Sequence, residues 1–361
     1  MGKVKIGVIG VKGIGKTHID AIVSSENAEL FAVADINEEV GKDTASSYGV
    51  KWYRNYEDML EEKDLDAVTI CTPHFLHSQM ALKAFSYNKH VLVEKPMAIS
   101  VGEADEMIQE SRRKKLKLGV VFQERTRLLN REIKKLIDSG EIGEVYRACM
   151  EACYFRTQAY YDRDAWRGKW TTEGGGVLIN QAIHDLDIFQ WLIGKPVKIR
   201  GQISTMYHEV EVEDLASAVM LFENGAQGIF QASLIDPIRT RRLEICGEKG
   251  KIELDEKARR AKLKKNLREY IASGKIWDSS QEFEWFEIKP EKEMISGHRA
   301  VIEDFAQAII SDREPLVNGE EGRIALEIAN AIILSSYENR TIPIPIEREA
   351  YSRLLRKLGS T

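Results

Sequence analysis

Two segments of this sequence contain residues that could carry chemistry. The apolar run 90–93 precedes Glu94, and Lys95 and Pro96 follow. An ammonium group at the end of a buried strand can touch a cofactor and polarise a substrate oxygen. Further along the chain, Gly174–Asp187 contains three consecutive glycines and His184, and an imidazole can transfer protons near neutral pH. We therefore expect a site that brings Lys95 and His184 together.

The segment around His184 has the period of a helix. One side of that helix would be apolar, with Leu178, Ala182, Leu186, Phe189 and Ile193. The opposite side would carry Asn180, His184, Asp187 and Trp191. Such a stripe is more often exposed to solvent than catalytic, but water is a poor neighbour for the Trp191 indole. The indole and the three glycines therefore favour the interpretation that the polar side of this helix faces a ligand.

The start of the chain is typical of a dinucleotide-binding fold. A short strand over 3–10 leads into a glycine-rich loop and a helix that begins near Lys16. The glycines permit a tight turn, and the helix N-terminus offers free N–H groups to a pyrophosphate. Lys12 occupies the usual second glycine position, where its ammonium could neutralise the pyrophosphate. The candidate cofactor ligands of this loop are Gly10, Lys12, Gly13, Ile14 and Gly15.

The next strand indicates which dinucleotide is bound. Residues 30–34 form an apolar run that ends at Asp35, twenty positions after Gly15. A carboxylate at this spacing accepts hydrogen bonds from an adenosine ribose and repels a 2′-phosphate. Residues 36–39 contain no arginine that could receive such a phosphate. The sequence therefore favours NAD over NADP.

Further strands and helices alternate up to residue 124. Residues 67–71 and 118–122 are apolar runs, and Ser100–Glu103 has the pattern of a capping box that starts a helix to about Lys115. Parallel strands place their carboxyl ends at one edge of a sheet. The strand ends that we expect along one crevice are Gly10, Asp35, Thr72, Lys95 and Gln123.

After Arg125 the pattern changes. A helix over 130–139 is followed by long strands, predicted at 144–156, 197–207, 216–223, 226–235, 242–246 and 251–254, with a hairpin at 223–226. The sequence predicts an α/β protein. Residues 1–124 form a Rossmann domain, and residues 125–361 form an α+β domain with a large, mostly antiparallel open sheet. An open sheet needs a cover, and we expect a homodimer or homotetramer to provide it.

Composition narrows the class of protein further. The chain has 361 residues, 43% of them hydrophobic, and a net charge of −5, which argues against nucleic acid as the main partner. We find no signal peptide and no stretch that could cross a membrane. Cys71, Cys149, Cys153 and Cys246 lack metal-ligand spacing. We interpret them as reduced core thiols of a cytoplasmic protein and predict no metal site.

These motifs occur in the order found in the Gfo/Idh/MocA family, which is named after glucose-fructose oxidoreductase, inositol dehydrogenase and rhizopine catabolism proteins. The motifs are the Gly10 loop, Asp35, Thr72-Pro73 with His77, Glu94-Lys95-Pro96, Trp166-Arg167, and Gly174 through His184 and Asp187. The resemblance covers essentially the whole chain, including Gly297-His298-Arg299 and Pro343-Ile344-Pro345. It implies a pyridine-nucleotide oxidoreductase that acts on a sugar, a cyclitol or a sugar derivative.

The resemblance also implies roles for individual residues. Lys95 matches the family lysine that binds the nicotinamide ribose and the reacting hydroxyl, and His184 matches the proposed general acid/base. The remaining cofactor candidates are Thr72, Pro73, His74, His77, Glu94, Pro96 and Gln123. Asn180 replaces an aspartate found in many members, and His74 replaces a frequent asparagine. An amide cannot accept a proton, so the proton relay must differ here if Asn180 takes part.

The expected reaction is oxidation of a secondary alcohol. The hydride would pass to NAD, while His184 removes the hydroxyl proton and Lys95 stabilises the alkoxide. We expect Gln123 and a set of further side chains to hold the substrate: Arg125, Arg156, Trp166, Arg167, Asn180 and Gln181. Two alternatives remain at this stage, a redox-neutral glycosidase that uses NAD transiently and a non-enzymatic sugar-sensing regulator.

Overall fold

The first sheet consists of six parallel strands. The computed structural model describes residues 2–255, 257–274, 276, 282–290 and 295–360. The strands of this sheet are β1 (Val4–Ile9), β2 (Ala28–Ala34), β3 (Lys51–Tyr53), β4 (Ala67–Ile70), β5 (His90–Val93) and β6 (Leu118–Val120). Their order across the sheet is β3-β2-β1-β4-β5-β6, and every pair is parallel. This is the Rossmann order, which reverses direction between β1 and β4.

Helices cover both faces of this sheet, and its central strands are therefore buried. They are α1 (Ile14–Val23), α2 (Glu38–Tyr48), α3 (Tyr56–Leu60), α4 (His77–Ser86) and α5 (Val101–Lys114). Two single 3₁₀ turns, at His74–Leu76 and Gln123–Thr126, follow strand ends. Ser100 caps α5 by accepting from the Glu103 amide, but the Glu103 carboxylate returns to the Ile99 amide. The predicted capping box is thus only half formed.

In the part of the chain that the structure describes, the second sheet has nine strands. They are β7 (Val145–Phe155), β8 (Pro196–Ser204), β9 (Leu215–Phe222), β10 (Gln227–Ser233), β11 (Ile235–Gly247), β12 (Gly250–Leu254), β13 (Ala258–Leu263), β14 (Phe283–Glu287) and β15 (Ile342–Pro343). The order is β14-β13-β12-β11-β7-β10-β9-β8-β15. Only the β7–β10 pair is parallel among these described strands, so the prediction of a mostly antiparallel sheet is confirmed.

One face of the second sheet is covered by helices and the other is open. The helices of this part are α6 (Leu128–Asp138), α7 (Gln158–Asp162), α8 (Ile183–Ile193), α9 (Leu267–Ile271), α10 (Gly297–Ile310), α11 (Gly319–Glu338) and α12 (Ala350–Leu358). Of these, α11 packs on β8 and α8 packs on β7. On the open face, Val219 and Ile229 are each about half exposed and lie directly opposite each other on β9 and β10.

Two cysteines lie on this open face rather than in the core. Cys149 and Cys153 are half-buried and alternate along β7 with the buried Ala148, Met150 and Ala152. An even spacing on a strand does place both on one face, as expected, but that face is the outer one. The prediction that they are core thiols was therefore wrong, whereas Cys71 and Cys246 are buried.

The two parts of the chain pack against each other. Helix α10 contacts α1 and the first sheet, and α11 contacts α5 and β6. The division at residues 124 and 125 separates the strands of the two sheets, and it stays a prediction. Within the described ranges, no helix combines the length and the apolar character that crossing a bilayer requires.

Candidate active site

Lys95 and His184 line the same cavity. This central cavity, of about 830 Å³, lies at the carboxyl ends of the first sheet's strands. It brings together most of the residues predicted for the site, namely Lys12, Gly13, Ile14, Thr72, Pro73, His74, His77, Glu94, Lys95, Gln123, Trp166, Arg167, Asn180 and His184. The expectation that the strand ends line one crevice therefore located this cavity. Residues from the second part of the chain line its other side.

The Lys95 ammonium is fixed by the second part of the chain. Its Nζ donates to the main-chain oxygen of Asn180 at 2.7 Å. Burial lowers the pKa of Lys95 below its ordinary value of 10.5, and the Glu94 carboxylate opposes that shift. A carbonyl uses one of the three donors of the ammonium. The other two remain for ligands in the cavity.

His184 is held as a neutral imidazole. Burial, reinforced by the charge of Lys95, places its pKa well below the ordinary value of 6.5. Its Nε2 lies 3.4 Å from the Gln123 amide nitrogen, and the Phe122 ring packs edge-on against it at 5.7 Å between centroids. Its Nδ1 is buried and has no hydrogen-bond partner among the described residues. A neutral imidazole has one unprotonated ring nitrogen, which is able to accept a proton from a bound hydroxyl.

Two residues that sequence reasoning missed organise Asn180. The Asn180 amide donates to the Glu173 carboxylate and, at 3.1 Å, to the Tyr160 hydroxyl. Tyr160 also accepts from Gln181 at 2.8 Å and from Arg167. Burial raises the pKa of Glu173. The amide at position 180 thus donates to a buried carboxyl, and no local pattern in the sequence pointed to Glu173 or Tyr160.

Asp35 lies at a second cavity, which we call the Asp35 cavity. It has a volume of about 650 Å³ and shares Lys12, Thr72 and Trp166 with the central cavity. The Asp35 carboxylate accepts from the Val11 amide at 3.0 Å and from the Asn37 amide at 2.8 Å, which fixes it beside the glycine loop. Arg54 also lines this cavity, 3.8 Å from Glu38. Arg54 lies outside residues 36–39, so the residues that follow Asp35 did not indicate an arginine at this cavity.

The glycine loop packs closely against its own helix. Gly10 has a φ of +85° and lines the Asp35 cavity, whereas Gly15 lies inside the turn. A Cβ at Gly15 would lie 1.9 Å from the Gly10 carbonyl oxygen, so only glycine fits there. Helix α1 has no side-chain cap, and at its start the Gly15 N–H donates to the Lys12 carbonyl at 3.0 Å. The other N–H groups of this turn, with exposed Lys12, suit a pyrophosphate.

His77 supports the site instead of facing a ligand with its polar atoms. Its Nδ1 lies 2.7 Å from the Pro96 oxygen, and its Nε2 lies 2.8 Å from the Thr72 oxygen. Both ring nitrogens lie within hydrogen-bond distance of main-chain oxygens, and a neutral ring donates to one of them. These contacts join the turn after β4 to the turn after β5, and cofactor binding by His77 and Pro96 stays a prediction. His74 is similarly tied to the Glu173 carbonyl, at 3.0 Å.

Glu94 is the centre of a buried polar cluster. Its Oε1 lies 2.8 Å from Nε2 of His18 and 3.8 Å from Nε2 of His298. Burial alone would raise the pKa of Glu94, but the hydrogen bond and charge of His18 lower it instead. His18, Glu94 and His298 are spaced closely enough to hold a metal ion. Since His18 also contacts Thr69 through Nδ1 at 2.8 Å, an ion pair accounts for the cluster, and the absence of a metal stays a prediction.

Arg125 is not a substrate ligand. Its guanidinium is 2% exposed and forms a bidentate pair with Asp187, at 2.8 and 2.6 Å. It also donates to Glu321 at 3.0 Å and lies 5.7 Å from the centroid of the Trp191 ring. All of these groups hold Arg125 away from the central cavity. The sequence prediction was wrong because Arg125 follows a strand end but turns towards α8.

The segment around His184 also differs from the prediction. Helix α8 begins only at Ile183, and Asn180 precedes it in a turn. The Glu213 carboxylate accepts from the amides of Gly176 and Leu178, and a Cβ at Gly176 would lie 1.9 Å from the Glu213 carbonyl oxygen. The glycines therefore allow close packing against Glu213. Of the predicted polar stripe, His184 reaches the central cavity, whereas Asp187 and Trp191 contact Arg125.

A third cavity adjoins the central one, and we call it the arginine cavity. It has a volume of about 380 Å³ and shares Lys95, Asn180 and His184 with the central cavity. The predicted substrate residues Arg156 and Gln181 line it. Trp166 and Arg167 line the central cavity instead, with the Arg167 guanidinium 4.5 Å from the Trp166 ring centroid. Three arginines that were not predicted also line the arginine cavity, Arg127, Arg239 and Arg241.

Buried polar atoms without hydrogen-bond partners indicate where ligands could bind. Among the described residues, three buried atoms around the cavities lack partners: Gln123 Oε1, Gln181 Oε1 and His184 Nδ1. Together with the uncapped helix α1 and fixed Asp35, they fit a dinucleotide and a polar substrate. The class of protein defined by this arrangement is an NAD-binding oxidoreductase with a lysine and a histidine in its central cavity.

The comparisons with known proteins agree with this class. A family profile described as oxidoreductase family, NAD-binding Rossmann fold, matches residues 4–122. A second, described as the GFO/IDH/MocA C-terminal domain, matches residues 130–253. The chain belongs to the Gfo/Idh/MocA oxidoreductase family.

Individual relatives match over nearly their full length. Myo-inositol 2-dehydrogenase of Thermotoga maritima is 26% identical over 94% of this chain and 98% of its own. Inositol 2-dehydrogenase of Rhizobium meliloti is 26% identical over 94% of this chain and 99% of its own. The crystal structure of the WlbA dehydrogenase from Bordetella pertussis, in complex with NADH and UDP-GlcNAcA, has a TM-score of 0.82 at 28% identity. It covers 96% of this chain and 100% of that one.

The corrected role of Arg125 can be tested. We expect Arg125→Met to reduce the free energy of unfolding by about 3–5 kcal/mol, because it leaves the Asp187 charge buried without a partner. The double variant Arg125→Met/Asp187→Leu should regain much of that loss. Chemical denaturation measures the free energy of unfolding of both variants. The exposed pair of Arg113 and Glu110 provides the control, and Arg113→Gln should change stability by less than about 0.5 kcal/mol. Unchanged stability of Arg125→Met would restore a ligand role.

Proposed function

We propose that this NAD-dependent oxidoreductase oxidises a secondary alcohol of a sugar, cyclitol or sugar derivative, using Lys95 and His184. The observation that carries the proposal is that both side chains line one cavity at the strand ends of the Rossmann sheet. The names of the relatives support the substrate class, since several are inositol 2-dehydrogenases. A binding protein would not need this pair at the reacting centre.

Lys95 and His184 have different roles in the proposed reaction because one acts as a cation and the other as a neutral base. His184, neutral because of its lowered pKa, accepts the proton of the substrate hydroxyl. The Lys95 ammonium, held by the Asn180 carbonyl, stabilises the oxygen as negative charge develops on it. Asn180 itself takes no proton, since its amide donates to Glu173 and Tyr160. When bound, NAD supplies the acceptor for the hydride.

The cofactor is proposed to lie along the central and Asp35 cavities. Gly10, Lys12, Gly13 and Ile14 would hold the pyrophosphate, and Asp35 the adenosine ribose. Thr72, Pro73, His74, Glu94 and Gln123 line the central cavity together with Lys95 and His184. Asp35 is fixed by two amides and bears the charge that opposes a 2′-phosphate, in keeping with NAD as the cofactor.

The catalytic role of Lys95 is tested by its removal. We expect Lys95→Met to lower kcat for oxidation by about 100-fold or more, because the developing alkoxide loses its cation. NAD affinity, measured by calorimetry, should fall much less. NADH absorbance across inositols, aldoses, ketoses and nucleotide sugars identifies a substrate first. Unchanged turnover of Lys95→Met would refute the assigned role.

The pH dependence of oxidation, in the wild type and in Lys95→Arg, tests the roles proposed for Lys95 and His184. The oxidation rate needs His184 unprotonated and Lys95 protonated. The rate should therefore rise through a pKa below 6.5 and fall through a pKa below 10.5. Lys95→Arg should keep part of the activity and move the alkaline limb to higher pH, because a guanidinium stays protonated. An alkaline limb that does not move would assign it to another group.

The open face of the second sheet is proposed to form a homodimer or homotetramer. Val219, Leu221 and Ile229 are exposed apolar residues on adjacent strands of this face. Burial of such a patch drives association. Light scattering in solution should show an oligomer, and Ile229→Lys should shift it towards monomer. A monomeric wild type at micromolar concentration would contradict this proposal.

We propose that residues 1–124 form the NAD-binding domain and that residues 125–361 form the domain for substrate binding and assembly.

A cytoplasmic location is proposed because the four cysteines are free thiols, as expected in a reducing compartment. Cell fractionation tests the location, and recovery outside the cytoplasm would contradict it.

A further inference from the structure

The arginine cavity is strongly cationic in a protein that is acidic overall. Five cationic side chains line it: Lys95, Arg127, Arg156, Arg239 and Arg241. Among the described residues, two carboxylates do so, those of Glu124 and Asp185, whereas the whole chain has a net charge of −5. A local surplus of positive charge against the overall balance indicates a site for a negatively charged ligand.

Two of the arginines account for both carboxylates. Arg127 donates to Glu124 at 2.6 Å, and Arg241 donates to Asp185 at 2.7 Å. Arg156 and Arg239 have no carboxylate within 4 Å among the residues that the structure describes, and Arg156 donates to the Phe155 carbonyl at 2.8 Å. These two guanidinium groups therefore bring uncompensated charge to the cavity.

Both of these arginines lie over tyrosine rings that are themselves fixed. The Arg239 guanidinium lies 5.3 Å from the Tyr154 ring centroid, and the Arg156 guanidinium lies 5.3 Å from that of Tyr160. The Tyr154 hydroxyl donates to Asp185, and the Tyr160 hydroxyl accepts from Asn180. Stacking restricts the guanidinium planes and leaves N–H groups at their edges, the geometry that binds an oxyanion in a bidentate manner.

We propose that the arginine cavity binds an oxyanion carried by the substrate, a carboxylate or a phosphate on the sugar, with Arg156 and Arg239 as its ligands. The inference rests on the proposed oxidation at Lys95 and His184, which line the same cavity, so one molecule can present both groups. Arg239 and Arg241 also line an adjoining cavity of about 410 Å³ together with Arg242. The cationic surface therefore extends beyond the volume needed for a single sugar ring.

Binding measurements test the proposal independently of turnover. Calorimetry on the full chain with excess NADH compares glucose with glucuronate, glucose 6-phosphate and UDP-glucose. At least one anionic ligand should bind about tenfold more tightly than glucose, and about 0.5 M salt should reduce the difference. Preference for glucuronate alone assigns a carboxylate, and preference for the phosphorylated ligands assigns a phosphate. No preference for any anionic ligand, including no binding at all, would overturn the proposal.

Variants identify the ligands of the anion. Arg239→Gln and Arg156→Gln should each reduce the preference for the anionic ligand about tenfold, while Arg113→Gln on α5 should leave it unchanged. A preference that survives both cavity substitutions would overturn the assignment of these residues. An intact preference without NADH formation from any ligand would instead refute the oxidation and leave the anion site standing.

Discussion

The hydrogen bond from Lys95 Nζ to the main-chain oxygen of Asn180, at 2.7 Å, joins the two parts of the chain at the reacting centre. It can form only because the segments that carry these residues approach closely. A Cβ at Gly174 would lie 2.6 Å from the Ile99 side chain, so a larger residue would push the segments apart. Glu213 fixes the other end of the glycine run through the Gly176 amide. The site therefore depends on this contact between the Rossmann sheet and the segment before α8.

Within that contact, burial lowers the pKa of both Lys95 and His184. The Glu94 carboxylate opposes the shift at both residues, whereas the charge of Lys95 adds to it at the histidine. His184 is thus a neutral base, and the role proposed for Lys95 is that of the cation. Pairs of titratable groups with separated pKa values divide acid, base and electrostatic roles in this way. Asn180 stands where many family members have an aspartate, and its amide donates to the buried carboxyl of Glu173.

The sequence was most informative where chemistry depends on local pattern. The apolar strands, the glycine loop and Asp35 follow from spacing along the chain, and the observed strand order then places their ends together. Contacts between side chains that are far apart in the sequence could not be predicted from local patterns. Arg125 and Asp187 are both polar residues near the expected crevice, but their mutual pairing removes them from it. Arg239 lies in the long strand β11, where nothing in the local sequence indicates that it reaches Tyr154.

A double-mutant cycle on Lys95 and His184 tests the central claim most directly. Each of Lys95→Met and His184→Ala should lower kcat/KM by about 100-fold, and the double variant should lose far less than the product of the two, because both groups act on one hydroxyl. Strong non-additivity is the result that this account predicts. Losses that multiply to about 10⁴ would show that the two residues act independently, and a shared reacting centre would be contradicted.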